Sequence, residues 1–454
     1  MTPSKLELRR DLGVWGAVAI VVGTVIGSGI FLVPQTMIQR TGSVEMVFAV
    51  WIVGALLSLA GALTYAELAA SMAEAGGEYI YLREAYGPMW GFLYGWTQLL
   101  VAKSGSIATL ATGFFLYFAN FYPFLQGAWI SFGLPGGGVF DINYGQVAAM
   151  GVILVLGALN YVGVRFGGAL QVVVTVVKVG CIIALMVVGL GSGQGNFSNF
   201  GSTIPSAGGF AGFFAALVAA LWAYDGWNNV TMVASEIKNP QRNIPLALAL
   251  GTAAVVVLYL ATNLAYFYVL TPAEVAGSDR VAASMMRRVW GEWGAGAVSV
   301  AAMISIFAAI NGSILAGARV PFAMARDGLF FPSIATVHPE YRTPANSIIA
   351  LSLWSAALVL ISGSYSDLFN YVIFGSWILY ALATASVIVL RHKRPDMVRP
   401  YRTLGYPVVP ALFVLVAVAL LASTLIDRPV QSIAGLGLIF AGLPFYFYWK
   451  GRRK

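Results

Sequence analysis

Charge is what this chain of 454 residues has least of: Asp, Glu, Lys and Arg make up 10% of it, against 59% hydrophobic residues. Soluble domains carry about 25% charge, so a soluble globular protein is excluded, and a mean hydropathy of +0.81 marks a polytopic membrane protein. Cysteine is nearly absent as well. Cys181 stands alone inside an apolar run, so no internal disulfide can form. Histidine occurs only as His338 and His392, both in expected loops, and no metal-ligand cluster or Ser/His/Asp set falls at membrane depth. An enzyme is therefore not expected, nor a metal or cofactor. No Pro/Ser-rich linker, coiled coil or soluble module interrupts the chain, which reads as one membrane domain over 1–454. The apolar runs are continuous rather than alternating, which argues against strands and a membrane barrel. No small-residue cleavage site follows the charged stretch Met1 to Asp11, so the first span is expected to stay in the membrane.

What the chain does have is apolar runs near the roughly 20 residues that cross a hydrocarbon core as helix. Twelve spans are expected, near 12–38, 44–72, 86–119, 144–164, 168–191, 211–236, 244–270, 291–325, 346–362, 366–391, 406–425 and 430–449. The basic residues orient them. With the N-terminus inside, the inside segments hold most of the 26 Lys and Arg, including Lys5, Arg9, Arg10, Arg83, Lys238, Arg242, Arg391, Arg394, Arg399, Arg453 and Lys454. The outside segments hold only Arg40, Arg280, Arg287, Arg288 and Arg428. This bias places both termini in the cytoplasm of a multi-pass protein of the inner (plasma) membrane. It also accounts for the net charge of +8 without nucleic acid, leaving the lipid bilayer as the partner of the basic face. The segments Glu74 to Pro88 and Asp327 to Pro344 read as amphipathic stretches on the cytoplasmic surface.

Two spans are broken at their middles. Gly23 to Phe31 reads GTVIGSGIF, and Trp222 to Asn228 reads WAYDGWN. Glycine costs about 1 kcal/mol against alanine in a helix, and a break inside a bilayer exposes backbone groups that a protein or a polar ligand must satisfy. The breaks at Gly27 and Asp225 lie 198 residues apart, and each opens a set of five spans. Five is odd, so the second set enters from the opposite side. Such an inverted repeat places a binding site at the bilayer midplane and permits alternating access. The expected division is 12–192 and 208–392 for the two repeats, with 406–450 adding two further helices.

The chemistry of the breaks follows from helix ends. A second half-helix starting near Gly29 presents free N–H groups and the positive dipole end to the gap, which suits an anion. Gly27 and Gly29 let a carboxylate approach, with Ser28 adding a hydroxyl donor and Ile26 lying in the same stretch. The opposing half-helix leaves carbonyls at Thr24 and Val25, and the second break offers those of Trp222, Ala223 and Tyr224. Donors for a carboxylate beside acceptors for an ammonium match a zwitterionic α-amino acid. The bland alternative is close helix packing through small residues. Trp222 is either a gate over the bound side chain or a core aromatic. Asp225 either caps the second half-helix of span six, the readier reading, or accepts a cationic side chain.

Lys178 sits midway along an apolar span, where a charged lysine costs roughly 2.5 to 3.5 kcal/mol. Carbonyls freed by the first break, with Asn311, Ser305 and Ser313 of span eight, are the expected partners. A fixed ammonium there would do the work of a sodium ion; with its charge weakened by burial it would instead move a proton. Arg319 is expected to pair with Glu67 or Glu236. Lys103 has no evident partner.

These residues together resemble the L-amino-acid transporter family, a branch of the amino acid-polyamine-organocation superfamily. The resemblance rests on GTVIGSGIF, on YAEL (Tyr65 to Leu68), the Lys178 span and WAYDGWN, and on EIKNPQRNIPLA (Glu236 to Ala247), NGS (Asn311 to Ser313) and HPEYRTP. It implies an all-α membrane protein of twelve helices with a LeuT-like 5+5 inverted repeat, helices 1 and 6 being discontinuous. It further implies sodium-independent transport of L-amino acids, by exchange of neutral substrates; proton symport, or exchange that also takes cationic amino acids, are the alternatives. By the same resemblance the carboxylate goes to Gly27, Ser28 and Gly29, the amino group to Val25 and the backbone of Trp222 and Asp225. Trp222 takes the gate position and Lys178 stands in for the sodium. Eukaryotic members join a heavy subunit through a cysteine between spans three and four. Phe121 to Asn143 has none, so no disulfide-linked heavy subunit is expected and the chain resembles the stand-alone prokaryotic branch.

Overall fold

The computed structural model describes residues 7–119, 121–133, 139–206, 208–362, 365–427 and 429–452. Lys5, Arg428, Arg453 and Lys454, which enter the charge asymmetry above, lie outside them.

Span one is two helices, α1 (Val14–Val25) and α2 (Gly29–Thr41), bent by 41° at the glycine break. Span two is α3 (Val44–Ser71), whose first turn is capped by the Ser43 hydroxyl accepting from the Met46 amide. A short α4 (Glu78–Tyr86) follows, and Gly87 at φ 105 turns the chain into α5 (Pro88–Thr97). A π-helical turn at Gln98–Ala102 joins α5 to α6 (Lys103–Phe118), completing span three. Span four is α7 (Tyr144–Val162), entered through a capping box of Asn143 and Gln146, and span five is α8 (Val164–Gly191).

The second set mirrors the first. Span six is α9 (Gly209–Ala223), an unwound stretch and the four-residue α10 (Asn229–Met232). Span seven is α11 (Pro240–Val269), which α12 (Pro272–Ala276) follows. Span eight lies in α13 (Val281–Gly317), which leaves helical geometry at Trp290 and Gly291, where the sequence places the start of the span, and α14 (Arg319–Arg326) extends it. Spans nine to twelve are α15 (Ala345–Ser362), α16 (Tyr365–Lys393), α17 (Val408–Asp427), and α18 (Pro429–Phe440) continued by α19 (Gly442–Gly451).

The expectation of no strands needs correcting outside the spans. The connection from α6 to α7 contains an antiparallel pair, β1 (Ala128–Gly133) and β2 (Val139–Asn143). The segment is exposed, so its backbone finds partners across a hairpin rather than within a helix.

Packing pairs the two sets. Spans two and seven, three and eight, and four and nine lie directly against one another, the arrangement that two interlocked repeats produce. α1 packs on α8, α11 and α13, and α9 packs on α2 and α3, so the two breaks end up face to face at the centre. Between the helices sit fully buried aromatics, including Trp51, Tyr65, Tyr224 and Tyr259. The lipid-facing sides of α8 and α17 carry exposed Val176, Val187, Leu415 and Val418, as a surface solvated by hydrocarbon requires.

Ion pairs join the helices at the basic end of the bundle. Arg319 and Glu236, both buried, form a two-pronged pair at 2.6 and 2.9 Å, which selects Glu236 from the two expected partners. Glu67 instead accepts from Arg391 at 2.7 and 2.9 Å and from the Thr403 amide. Leu12, just before α1, forms a short parallel bridge with Ile237, pinning the entry of span one to the exit of span six.

Candidate functional site

A narrow cavity lies where the breaks meet. It has about 380 Å³ of space unfilled by protein atoms, part of it open to solvent. Its wall includes Thr24, Val25, Gly27, Ser28 and Gly29 from span one and Trp222, Ala223, Asp225 and Gly226 from span six; Ser313 of α13 completes the set that the sequence singles out. Ile26 and Tyr224 turn away from it. Ile26 is buried with its carbonyl committed elsewhere, and the Tyr224 ring packs edge-on against Trp51, 5.5 Å between centroids. Asn311 is also off the cavity, donating to the Gln171 side chain at 2.8 Å and accepting from Asn160 at 2.9 Å.

The breaks form because glycine is required on both sides. A Cβ on Gly29 would lie 2.7 Å from the Ala223 Cα, so the start of α2 can approach the end of α9 only without a side chain. Gly226 has φ 111, a backbone region that L side chains rarely adopt. Its carbonyl accepts from the Thr24 hydroxyl at 2.8 Å, joining one unwound stretch to the other.

Lys178 and Tyr259 hold most of the freed carbonyls. Lys178 reaches in from α8, fully buried, and its ammonium donates to the carbonyls of Gly23 at 2.8 Å, Ile26 at 2.6 Å and Ser305 at 3.0 Å. All three of its protons are thereby used. Ser305 adds a hydroxyl contact of its own to Ile26, at 3.1 Å. Tyr259 of α11 lies between the breaks, its hydroxyl 3.0 Å from the Val25 carbonyl and 2.9 Å from that of Ala223. One hydroxyl proton is thus shared by two acceptors, of which the Ala223 carbonyl keeps a lone pair. The Gly27 amide bonds back to Val25 at 2.8 Å. The Phe31 amide bonds to the Ser28 carbonyl at 3.1 Å, and the donors suited to an anion are the Gly29 and Ile30 amides at the head of α2, which by position have no acceptor inside their own helix.

Asp225 does not cap. α10 has no side-chain cap, and the Asp225 carboxylate accepts from the Tyr380 hydroxyl at 2.7 Å. The stretch turns through Gly226 before α10 starts, which carries the carboxylate away from the α10 amides and toward α16.

Lys103 and Asn229 are the residues that the sequence leaves without a role. Both line the cavity, and the Lys103 ammonium donates to the Asn229 side-chain carbonyl at 2.6 Å. The π-helical turn immediately before Lys103 inserts the extra residue that sets its direction. Ser106 and Leu110, one and two turns on, join the same wall. Among the described residues no three His, Cys, Asp or Glu side chains converge as a metal site would need.

Paired breaks that face one another within an inverted repeat, around a small polar cavity, define a secondary membrane carrier. The amino acid permease family matches residues 12–446, and the chain belongs to it. It is 32% identical to the b(0,+)-type amino acid transporter 1 of Mus musculus over 97% of this chain and 88% of that protein. It is 31% identical to the cystine/glutamate transporter of Homo sapiens, over 98% and 86% respectively. It is 32% identical to the serine/threonine exchanger SteT of Bacillus subtilis (strain 168), over 98% of each chain. The protein is therefore an amino acid transporter of the L-amino-acid transporter branch, with the twelve-helix LeuT-like fold, and not an enzyme.

Proposed function

We propose that this chain exchanges neutral L-amino acids across the plasma membrane without sodium, by alternating access. The observation that carries the reading is the Lys178 ammonium, fixed on the carbonyls of Gly23, Ile26 and Ser305 beside the cavity. An ammonium held there supports the broken helix as a bound sodium would, so no ion is needed.

The substrate carboxylate sits against Gly27, Ser28 and Gly29 at the start of α2. Its ammonium sits on the free lone pair of the Ala223 carbonyl and on the backbone of Val25, Trp222 and Asp225, the Val25 carbonyl giving up its bond to the Gly27 amide, with Trp222 closing over the side chain. A neutral side chain suits the wall, because Lys103 stands close to Asp225 and opposes a second cation. Exchange, rather than net uptake, is supported by the exchanger SteT. The repeats run over 12–192 and 208–392, with 406–450 outside them. Both termini and the tied basic end face the cytoplasm by the charge asymmetry. With Cys181 alone in α8 and none between spans three and four, the chain works without a disulfide-linked subunit.

Proteoliposomes test this. Uptake of labelled neutral amino acid, in the absence of sodium, is stimulated by internal unlabelled amino acid. Equal uptake into empty and loaded vesicles would refute exchange.

A further inference from the structure

Glu78 opens α4, a helix outside the spans, yet its side chain is fully buried. It points at the second break. The side-chain amide of Asn228, in the unwound stretch of span six, donates to Oε1 of Glu78. The two atoms left over in that pair, Oε2 of Glu78 and Oδ1 of Asn228, are both buried acceptors without a hydrogen-bond partner. An ionised carboxylate leaves Oδ1 of Asn228 unsatisfied and has only the Tyr94 hydroxyl as a neighbouring donor for Oε2, because neither atom of the pair has a proton to give the other. A carboxylic acid does not. Its O–H can donate to the amide oxygen while the amide N–H donates back, closing a ring of two hydrogen bonds.

The surroundings favour the neutral form. The cation facing Glu78 is Lys103, whose charge also faces Asp225 and whose ammonium bonds to the neutral Asn229 side chain. Two carboxyls share one ammonium. The other groups facing Glu78 are phenols, Tyr94 from α5, Tyr65 from α3, Tyr81 from α4 itself and Tyr380 from α16. Charged neighbours on the packed elements are engaged elsewhere, Arg83 with Asp327, Arg319 with Glu236 and Arg391 with Glu67. Burial pushes the Glu78 carboxyl up, against the opposing pull of Asn228, its own backbone amide, Tyr94 and Lys103.

We propose that Glu78 is a proton site: at neutral pH it holds a proton, closes an acid–amide pair with Asn228, and so positions the unwound stretch that lines the cavity. Glu78 touches no substrate and acts through Asn228. Loss of the proton breaks the ring, sets a second negative charge beside Lys103, and slows the carrier. This regulation rests on the exchange reading for its transport readout only.

E78Q keeps the shape and the neutral hydrogen bonds of the protonated acid, and E78A keeps neither. With equal pH on both sides, wild-type exchange falls roughly tenfold, the worth of one such bond, as pH rises from neutrality. E78Q keeps the neutral-pH rate within about threefold and loses the alkaline fall, whereas E78A is slow at every pH. Infrared difference spectra of the detergent-solubilised protein provide a readout independent of transport. A protonated-carboxyl stretch disappears on alkalinisation in the wild type, is missing from E78Q, and shifts in N228A. The proposal is overturned if E78Q retains the alkaline fall, if the band persists in E78Q, or if N228A leaves the band unmoved. If wild-type vesicles show no stimulation by internal amino acid, the exchange reading has failed, and the infrared band still decides the proton site.

Discussion

The ammonium of Lys178 lies 2.6 Å from the carbonyl oxygen of Ile26, so the middle of span five is tied to the place where span one stops being helical. The charge buried in α8 and the unpaired carbonyls of the break are each costly alone, and each removes the other's cost.

Lys178→Met therefore leaves the carbonyls of Gly23, Ile26 and Ser305 without that donor. At about 1–3 kcal/mol for each unsatisfied group, labelled amino acid exchange in proteoliposomes falls at least tenfold. Lys178→Ala, which opens a space beside those carbonyls, regains part of its rate when sodium is added. Unchanged, sodium-indifferent exchange in Lys178→Ala would count against the cation role.

Gly29→Ala places a methyl 2.7 Å from the Ala223 Cα. Overpacking of this kind costs about 1–3 kcal/mol, and here it also separates the two breaks, so exchange is lost while the folded protein is still recovered. Gly151→Ala, on the side of α7 where nothing lies within 4 Å, leaves both stability and exchange intact. Thermal unfolding in detergent beside the exchange assay checks the pair.

Glu236→Gln strands the buried Arg319 guanidinium, at a cost of about 3–5 kcal/mol in stability. The double variant Glu236→Gln, Arg319→Gln recovers part of this, and a double-mutant cycle on the melting temperature measures the coupling.

Glu274 gives a pH dependence at the opposite end of the bundle. Burial pushes its carboxyl up, but hydrogen bonds from Arg288 and Thr271 outweigh burial and hold it below the usual carboxylate range. A depressed folded-state value adds stability above the unfolded-state value and loses it as pH falls through the folded-state value. The melting temperature of Glu274→Gln is thus below that of the wild type at neutral pH. The gap closes as pH drops below about 4.

Much of this was legible in the sequence because the features concerned are local. Three glycines between Gly23 and Gly29 cannot sustain a helix in lipid, and a mid-span lysine must find acceptors, so the break and its Lys178 partner are readable from residue type alone. What stayed hidden depends on direction. Lys103 reaches the cavity because a π-helical turn redirects it, and no residue pattern marks that turn. Tyr259 bridges the two breaks from span seven, yet in sequence it is one aromatic in an apolar run. Asp225 reads as a cap by residue type, and only the turn through Gly226 sends it to Tyr380 instead. Glu78 belongs to an amphipathic stretch that reads as surface; its burial arises from the packing of α4 against α5 and α16, with its side chain meeting Asn228 of span six.

The central claim is that the backbone of two unwound stretches holds both charges of an amino acid. Competition against labelled substrate in the exchange assay tests it most directly, using the unlabelled amino acid, its carboxamide, and the analogue lacking the amino group. Each missing charge removes charge-assisted hydrogen bonds worth about 1.5–3 kcal/mol apiece, so the account predicts that neither analogue competes at concentrations where the amino acid does. A carboxamide that competes as well as the amino acid would contradict it.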